Sequence, residues 1–209
     1  MHDAEYLRRV RRICDRYGVH LIADEIMTGF GRTGSFFAFD QAGITPDFLC
    51  LSKGITGGYL PLSVVMTRGA IYQAFYDDDV TRGFLHSHSY TGNTLACRAA
   101  LATLDLFEEE RVIEANRARS ARITAAVRPI AQHSSARNFR NTGMIWAFEV
   151  KTEDPSFARR FFAAALEHEL LLRPLGNTVY FMPPYVIGED EIDLLAARTA
   201  ALLDALPAD

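Results

Sequence analysis

The sequence contains few cysteines, and their spacing excludes two kinds of site. Cys14, Cys50 and Cys97 are far apart and lie inside apolar segments. An odd number of cysteines, with no CxxC or HxxxH spacing, argues against a disulfide framework and against a structural zinc site. His86 and His88 have no carboxylate or cysteine at ligand spacing, so we expect no metal there either. We expect three reduced thiols in the core of a cytoplasmic protein.

Long apolar runs and an excess of one charge are also lacking. No apolar run approaches the roughly 18–20 residues that a membrane span needs. Residues 1–5 lack the basic and apolar regions of a signal peptide. The formal net charge of −4 gives no reason to expect nucleic acid or an anionic membrane as a partner. With 209 residues, 49% of them hydrophobic, the chain is long enough for one domain or two small ones.

The first part of the chain predicts an α/β core with buried strands. Asp3 is placed to cap a helix that extends to about Tyr17. Three short apolar runs predict buried strands: residues 19–24, 47–52 and 61–66. The Gly-rich, polar residues 26–37 predict a loop between the first two strands. Helical patterns then cover residues 92–110 and continue to 128. Strands that alternate with loops and helices in this way favour an α/β fold.

Near residue 134 the pattern changes to that of a small α+β domain. Strands are predicted at residues 140–150, 170–173 and 178–182, and helices at 155–169 and 189–206. Trp146 and Phe148 share the first of these strands, where we expect them to belong to the core. The sequence therefore predicts two domains, residues 1–133 and 134–209.

Two residues that follow predicted strands carry groups suited to catalysis. Asp24 ends the first strand, and Lys53 follows the second, between Ser52 and Gly54. Ligands of α/β proteins bind outside the carboxyl ends of the strands. Pyridoxal phosphate (PLP) needs a lysine for its Schiff base and a carboxylate at its pyridinium nitrogen. Each residue also has an ordinary interpretation, a loop-capping acid and a surface lysine, and spacing alone does not decide between them.

The sequence around this pair resembles the class III, or omega-type, aminotransferases. The matching stretches are LIADEIMTGFGRTG from Leu21, then Pro46-Asp47, Ser52-Lys53-Gly54 and Gly57-Gly58. The resemblance implies the fold type I of PLP-dependent transferases, an α/β fold. Residues 1–133 would be the C-terminal part of the PLP-binding large domain, and 134–209 the small domain. It implies that Asp24 binds the ring nitrogen and that Lys53 forms the Schiff base and moves the proton to and from the substrate carbon.

A second matching stretch, HSHSYTGN from His86, precedes a predicted helix. A hydroxyl at a helix N-terminus suits a phosphate, but an ordinary Ser or Thr helix cap is the simpler interpretation. The resemblance implies that Ser89 reaches the cofactor phosphate of the neighbouring subunit, and hence a homodimer. It adds Ser87 to the candidate substrate-binding residues. Within the family, this stretch is closer to the diaminopelargonate aminotransferases thought to use lysine as amino donor.

A third stretch, LRPLGNTVYFMPPY from Leu172, contains a candidate carboxylate-binding residue. Arg173 could bind a carboxylate through two parallel hydrogen bonds, although a surface ion pair is the commoner role of an arginine. The stretch is similar to RP-x-G-x-x-x-Y-x-MPP in diaminopelargonate aminotransferases. The similarity implies that Arg173 binds the carboxylate of 8-amino-7-oxononanoate and that Tyr180 lines the same pocket. Tyr180 favours S-adenosylmethionine as donor, and Arg32 is expected near the substrate entrance.

The resemblance covers the chain but only the second half of the family's length. The early strands, a Gly-Ser phosphate loop and a ring-stacking aromatic residue would precede Met1, which looks like an internal methionine. We therefore expect an uncovered sheet edge, weak PLP binding and little transaminase activity from these 209 residues alone. Two alternatives to a diaminopelargonate aminotransferase of biotin biosynthesis stay open: another class III omega-aminotransferase, and a non-catalytic fragment that acts as a dimerisation module.

Overall fold

The structure is a computed structural model that describes residues 1–205. The chain forms two compact units, one of His2–Ile113 and one of Met1 with the residues from Glu114 onward. Strands and helices are mixed in both, which agrees with the predicted α/β class. The domain boundary between residues 133 and 134 stays a prediction. Within residues 1–205, every helix is too short or too polar to span a bilayer.

The first helix of the His2–Ile113 unit begins and ends where its capping residues predict. Helix α1 covers Ala4–Tyr17, and the Asp3 carboxylate accepts a hydrogen bond from the Glu5 N–H at 2.7 Å. Gly18 ends the helix in the left-handed conformation, with φ of 62°, which costs a glycine little. The prediction of this helix is confirmed.

A three-stranded sheet follows in the same unit. Strands β1 (Ile22–Asp24), β2 (Phe48–Leu51) and β3 (Val64–Thr67) lie in that order. β1 and β2 are parallel, and β2 and β3 are antiparallel. All three predicted strands are present but shorter than predicted. The predicted burial is wrong for β1 and β3, which are largely exposed, and only β2 alternates with buried positions. Among the described strands β1 pairs only with β2, and Ile22 is 61% exposed, so this edge is open as expected.

Helices and turns complete the His2–Ile113 unit. They are α2 (Gly69–Gln73), α3 (Thr94–Glu109) and three short 3-10 helices at Ala38–Ala42, Lys53–Thr56 and Val80–Arg82. A small apolar core brings together side chains from the loop after β1, from β2, from the 3-10 helix after β2 and from α3: Phe30, Leu49, Leu51, Ile55 and Ala100. This core lies beside the ends of the two parallel strands.

The second unit packs four helices on an antiparallel sheet. Its strands β4 (Ala136–Thr142), β5 (Ile145–Val150) and β6 (Thr178–Phe181) lie in the order β4-β5-β6. The helices are α4 (Val112–Ala126), α5 (Arg128–Ala131), α6 (Phe157–Glu167) and α7 (Glu189–Ala205). Trp146 and Phe148 are fully buried in its core, which confirms the role predicted for them. The Trp146 ring N–H donates to the Thr124 hydroxyl at 2.8 Å.

Three predictions for this unit differ from the structure. The single strand predicted at residues 140–150 is the hairpin β4–β5, with a turn at Gly143, whose φ is 54°. The strand predicted at residues 170–173 is wrong, because the chain there forms a loop before an isolated bridge from Leu175 to Thr178. The final helix is confirmed to Ala205, and Leu206 lies outside the described residues.

The cysteines are free but are not all in the core. Cys14 and Cys50 are half-buried, and Cys97 is exposed on α3. The prediction of three core thiols is therefore wrong for Cys97. Its apolar neighbours in the sequence, such as Leu95 and Leu101, are exposed as well, with 71% and 54% of their surface accessible. The face of α3 that carries Cys97 is therefore exposed, although the sequence of this helix is apolar.

Candidate functional site

The parallel pairing of β1 and β2 brings Asp24 and Lys53 to one edge of the sheet. Asp24 is the last residue of β1 and is in register with Cys50 of β2. β2 ends at Leu51, and Lys53 begins the next 3-10 helix. Because the two strands run in the same direction, their carboxyl ends meet at the same edge, where α/β proteins bind ligands.

Both side chains of this pair are exposed and available to a ligand. The Asp24 carboxylate accepts one hydrogen bond, from the Ile26 N–H at 3.0 Å, which fixes its orientation at the strand end. The Lys53 ammonium takes part in none of the hydrogen bonds or ion pairs formed within residues 1–205. The pair therefore offers an oriented carboxylate and an uncommitted amine.

The backbone at Lys53 is held in an unusual conformation. Its φ is 46°, in the left-handed region that residues with a side chain rarely adopt. Phe30, on the loop after β1, also has a positive φ, of 56°. Its side chain packs directly against Gly54, the residue that follows Lys53. A Cβ added at Gly54 would lie 2.8 Å from the Phe30 ring. Such strained residues persist where the surrounding structure fixes them, and they cluster at functional sites.

A buried ion-pair network fixes the opposite ends of the strands. The Asp47 carboxylate, 7% exposed, accepts hydrogen bonds from the Arg11 guanidinium and from the Leu21 N–H, both at 2.8 Å. Arg68 lies 3.4 Å away. The Leu21 N–H, followed by Arg11, holds the pKa of Asp47 below its ordinary value. Asp47 thus ties α1 and β1 to the start of β2. The sequence motif includes Asp47, but it gives no sign of these partners.

A groove of about 930 Å³ lies between the segment before β3 and the segment before α3. Ser52, which precedes Lys53, lines it, and so does Ser87. Ser89 is exposed near its rim but does not line it. The helix-cap interpretation of Ser89 is wrong, because Asn93 caps α3 by accepting from the Leu95 and Ala96 N–H groups at 3.0 and 3.3 Å. The Ser89 hydroxyl is left for another role.

A second groove, of about 750 Å³, lies within the other unit. Arg173 and Tyr180 both line it, as predicted from their shared motif. The rest of the lining is mostly apolar and includes Leu172, Phe181 and Leu195. Arg173 is exposed, and its guanidinium forms none of the ion pairs found in residues 1–205, which argues against the surface ion pair. The groove thus has a mostly apolar wall, the uncommitted positive charge of Arg173, and two carboxylates, of Glu169 and Glu191.

Arg32 lies in a glycine-rich turn of the loop after β1. Arg32 is half-buried. The turn that contains it is closed by the Gly34 N–H, which donates to the Gly31 carbonyl at 3.0 Å. Gly31 and Gly34 have φ of 87° and 98°, which explains the glycines on either side. The turn belongs to the same unit as Asp24 and Lys53.

Comparisons with known proteins agree with this geometry. The aminotransferase class-III family matches residues 1–203. The adenosylmethionine-8-amino-7-oxononanoate aminotransferase of Helicobacter pylori is 48% identical, over 99% of this chain and 49% of its own length. The corresponding enzyme of Nitratidesulfovibrio vulgaris is 42% identical, over 91% of this chain and 37% of its own.

Solved structures give the same result. The adenosylmethionine-8-amino-7-oxononanoate aminotransferase of Methanocaldococcus jannaschii matches with a TM-score of 0.88 and 34% identity, over 96% of this chain and 49% of that one. A PLP-bound amine transaminase from an uncultivated Pseudomonas species matches with a TM-score of 0.88 and 32% identity, over 98% and 48%. The chain spans about half the length of the curated relatives it matches, such as 49% of the Helicobacter pylori enzyme. The chain belongs to the class-III aminotransferases.

Proposed function

We propose that this chain is the part of a PLP-dependent aminotransferase that carries the reactive lysine. The observation that carries the proposal is the parallel β1–β2 pair, which puts Asp24 and Lys53 at one sheet edge with both side chains exposed. The donor set fits the cofactor, because PLP needs one amine and one carboxylate. The PLP-bound form of a relative supports the same assignment.

The roles of the two residues follow from their chemistry. PLP, when bound, supplies an electron-withdrawing ring that makes the neighbouring C–H bond of a substrate amine acidic. Asp24 would hold the protonated ring nitrogen through its oriented carboxylate. Lys53 would hold the cofactor and then, with its amine released, carry a proton to and from the substrate carbon. An exposed, uncommitted amine on a fixed backbone suits both tasks.

For the substrates, we propose transfer of an amino group from S-adenosylmethionine or lysine to 8-amino-7-oxononanoate. The product would be 7,8-diaminononanoate, in biotin biosynthesis. Support comes from the names of the relatives and from the groove of Arg173 and Tyr180. An apolar wall with one free guanidinium suits an aliphatic chain that ends in a carboxylate. Arg32 and Ser87 are assigned to substrate binding in the same proposal.

The assembly belongs to the proposal as well. Ser89 has an exposed hydroxyl and, within residues 1–205, no hydrogen-bond partner for it. A second subunit could therefore bring a phosphate to it. We propose a homodimer in the cytoplasm, in which Ser89 reaches the cofactor of the neighbouring subunit.

The chain allows a sharp test of Lys53, because it has only two lysines, Lys53 and Lys151. Lys151 is exposed and donates to the Ser134 carbonyl at 2.7 Å. PLP is added, trapped with borohydride, and the label on each lysine is measured by mass spectrometry. We expect weak binding with the label mainly on Lys53, abolished in Lys53→Ala and retained in Lys151→Ala. Equal labelling of both lysines would contradict the proposed function.

The amino donor is tested separately. The 209-residue chain is mixed with PLP and with S-adenosylmethionine, lysine or beta-alanine, and the change in cofactor absorbance is followed. Conversion by the first or second donor, lost in Lys53→Ala, supports the biotin-pathway enzyme. Conversion by beta-alanine alone would favour another class III omega-aminotransferase.

A further inference from the structure

Glu25 is a buried carboxylate for which the proposed chemistry has no use. It follows Asp24 directly, yet it is 3% exposed, whereas Asp24 is exposed. Burying a carboxylate costs several kcal/mol unless hydrogen bonds compensate it. Its burial beside an exposed catalytic candidate therefore calls for a function.

The side-chain hydrogen bonds of Glu25 hold the loop between β1 and β2. One carboxylate oxygen accepts from the Thr28 hydroxyl, and the other accepts from the Phe39 N–H at 3.1 Å. The backbone takes part too, because the Gly29 N–H donates to the Glu25 carbonyl at 3.0 Å. A Cβ at Gly29 would lie 2.9 Å from that carbonyl oxygen. One side chain thus joins the start of the loop to the 3-10 helix at Ala38–Ala42.

The same residue is tied to β2, the strand that precedes Lys53. The Glu25 N–H donates to the Cys50 carbonyl of β2 at 3.0 Å. The loop that Glu25 closes presents Phe30, 4% exposed, to the backbone of Gly54, where no Cβ fits. Phe30 is also held by Phe36 at 5.4 Å between ring centroids. The contacts run without a break from Glu25 through the loop to the residue after Lys53.

We infer that Glu25 is a positioning residue for Lys53. Its carboxylate closes the loop after β1, the closed loop presses Phe30 against Gly54, and this contact keeps Lys53 in its left-handed conformation. Without the contact, Lys53 would relax toward negative φ, which residues with a side chain prefer. Positioning Lys53 matters only if Lys53 reacts with the cofactor, so this role rests on the proposed function. The contacts that define the role can be tested without any cofactor.

Hydrogen exchange of the 3-10 helix after Lys53 tests the coupling. Its reporter amides are those of Ile55, Gly57 and Tyr59, which donate to backbone carbonyls at 3.1–3.2 Å. In Glu25→Ala these amides should exchange about tenfold faster or more, the effect of removing hydrogen bonds to a charged group. In Glu25→Gln, the amide oxygen can accept from the Phe39 N–H and the amide NH2 can donate to the Thr28 hydroxyl oxygen, so this variant should restore slow exchange.

Two further variants separate positioning from general loosening. Thr28→Val removes one of the two side-chain bonds and should give an intermediate effect, which keeps the test valid if Glu25→Ala fails to fold. Asp40→Ala removes another carboxylate of the loop region, which accepts from the Phe37 N–H at 2.9 Å but is exposed. It should leave the exchange of the reporter amides unchanged. Equal exchange in wild type and Thr28→Val, or equal acceleration by Asp40→Ala, would overturn the inference.

The borohydride-trapped PLP label gives the functional readout. In Glu25→Ala, the ratio of label on Lys53 to label on Lys151 should fall toward equal labelling, and Glu25→Gln should recover it. If wild type itself labels both lysines equally, the proposed function fails while the exchange result still decides on Glu25. If wild type labels Lys53 selectively and Glu25→Ala does too, the positioning role is refuted and the proposed function stands.

Discussion

Replacing Asp47 by alanine should be among the most destabilising single substitutions in the His2–Ile113 unit. The carboxylate is 7% exposed and accepts from Arg11 and the Leu21 N–H, both at 2.8 Å. Its removal leaves the Arg11 side chain, 12% exposed, with Asp15 as its remaining ion-pair partner. Breaking a buried pair costs about 3–5 kcal/mol. Because Arg11 keeps Asp15 at 2.7 Å, we expect the lower end, about 3 kcal/mol.

Asp15→Ala is the matched control, since it removes the other carboxylate from the same arginine. Asp15 is 64% exposed in its side chain, and exposed pairs contribute at most about 1 kcal/mol. Hydrogen exchange of the β2 amides, residues 48–51, measured in increasing urea, gives the free energy of unfolding of this unit for each variant. Similar losses for Asp47→Ala and Asp15→Ala would refute the assignment of the energy to burial.

The pH dependence gives an independent check on Asp47. Its pKa in the folded chain is lowered by the Leu21 N–H and Arg11, whereas an unfolded aspartate titrates at about 3.9. The stabilisation is therefore complete above that value and is lost as the pH falls through the lower folded pKa. The stability difference between wild type and Asp47→Ala should shrink below about pH 4. A constant difference down to pH 2 would contradict this reasoning.

Two other substitutions test the two cores. Gly54→Ala places a Cβ 2.8 Å from the buried Phe30 and should cost about 1–3 kcal/mol; Gly69→Ala, with nothing within 4 Å of the added atom, should be neutral in the same urea titration. Phe161→Ala empties a fully buried position in the second unit and should cost about 3–5 kcal/mol. The fluorescence of Trp146, the single tryptophan, reports that loss, and an unchanged urea midpoint would contradict it.

Local signals explain what the sequence predicts correctly. Asp3 and Gly18 fix the ends of α1 through capping chemistry that involves only neighbouring residues. Asp24 and Lys53 were found because each follows a short apolar run, and a buried strand is the simplest structure for such a run. Their exposed side chains at one edge follow from parallel pairing. The parallel pairing itself is seen only in the structure, since no periodicity distinguishes parallel from antiparallel neighbours.

The features that the sequence did not predict depend on distant partners. Leu170, Leu171 and Leu172 alternate as a strand would, at 5%, 72% and 7% exposed, but within residues 1–205 no neighbouring strand pairs with them. The sequence places Asp47 at the start of a strand, but its hydrogen-bond partners, Leu21 and Arg11, lie 26 and 36 positions away along the chain. Burial of Glu25 next to exposed Asp24 is equally invisible, because alternation on a strand predicts opposite faces without saying which face is covered.

The lysine content of the chain bears on the same site. The sequence has 20 arginines and only two lysines, Lys53 and Lys151. Arginine serves equally well for most of the surface charge and ion pairs seen here, such as the pairs of Arg122 with Glu189 and Asp193 at 2.6 Å. A guanidinium, however, stays protonated and cannot act as a neutral nucleophile or carry a proton. The hydrogen bond of Lys151 to a carbonyl could be made by an arginine, whereas imine chemistry at position 53 could not. The composition therefore supports a chemical role for Lys53 that surface charge alone does not require.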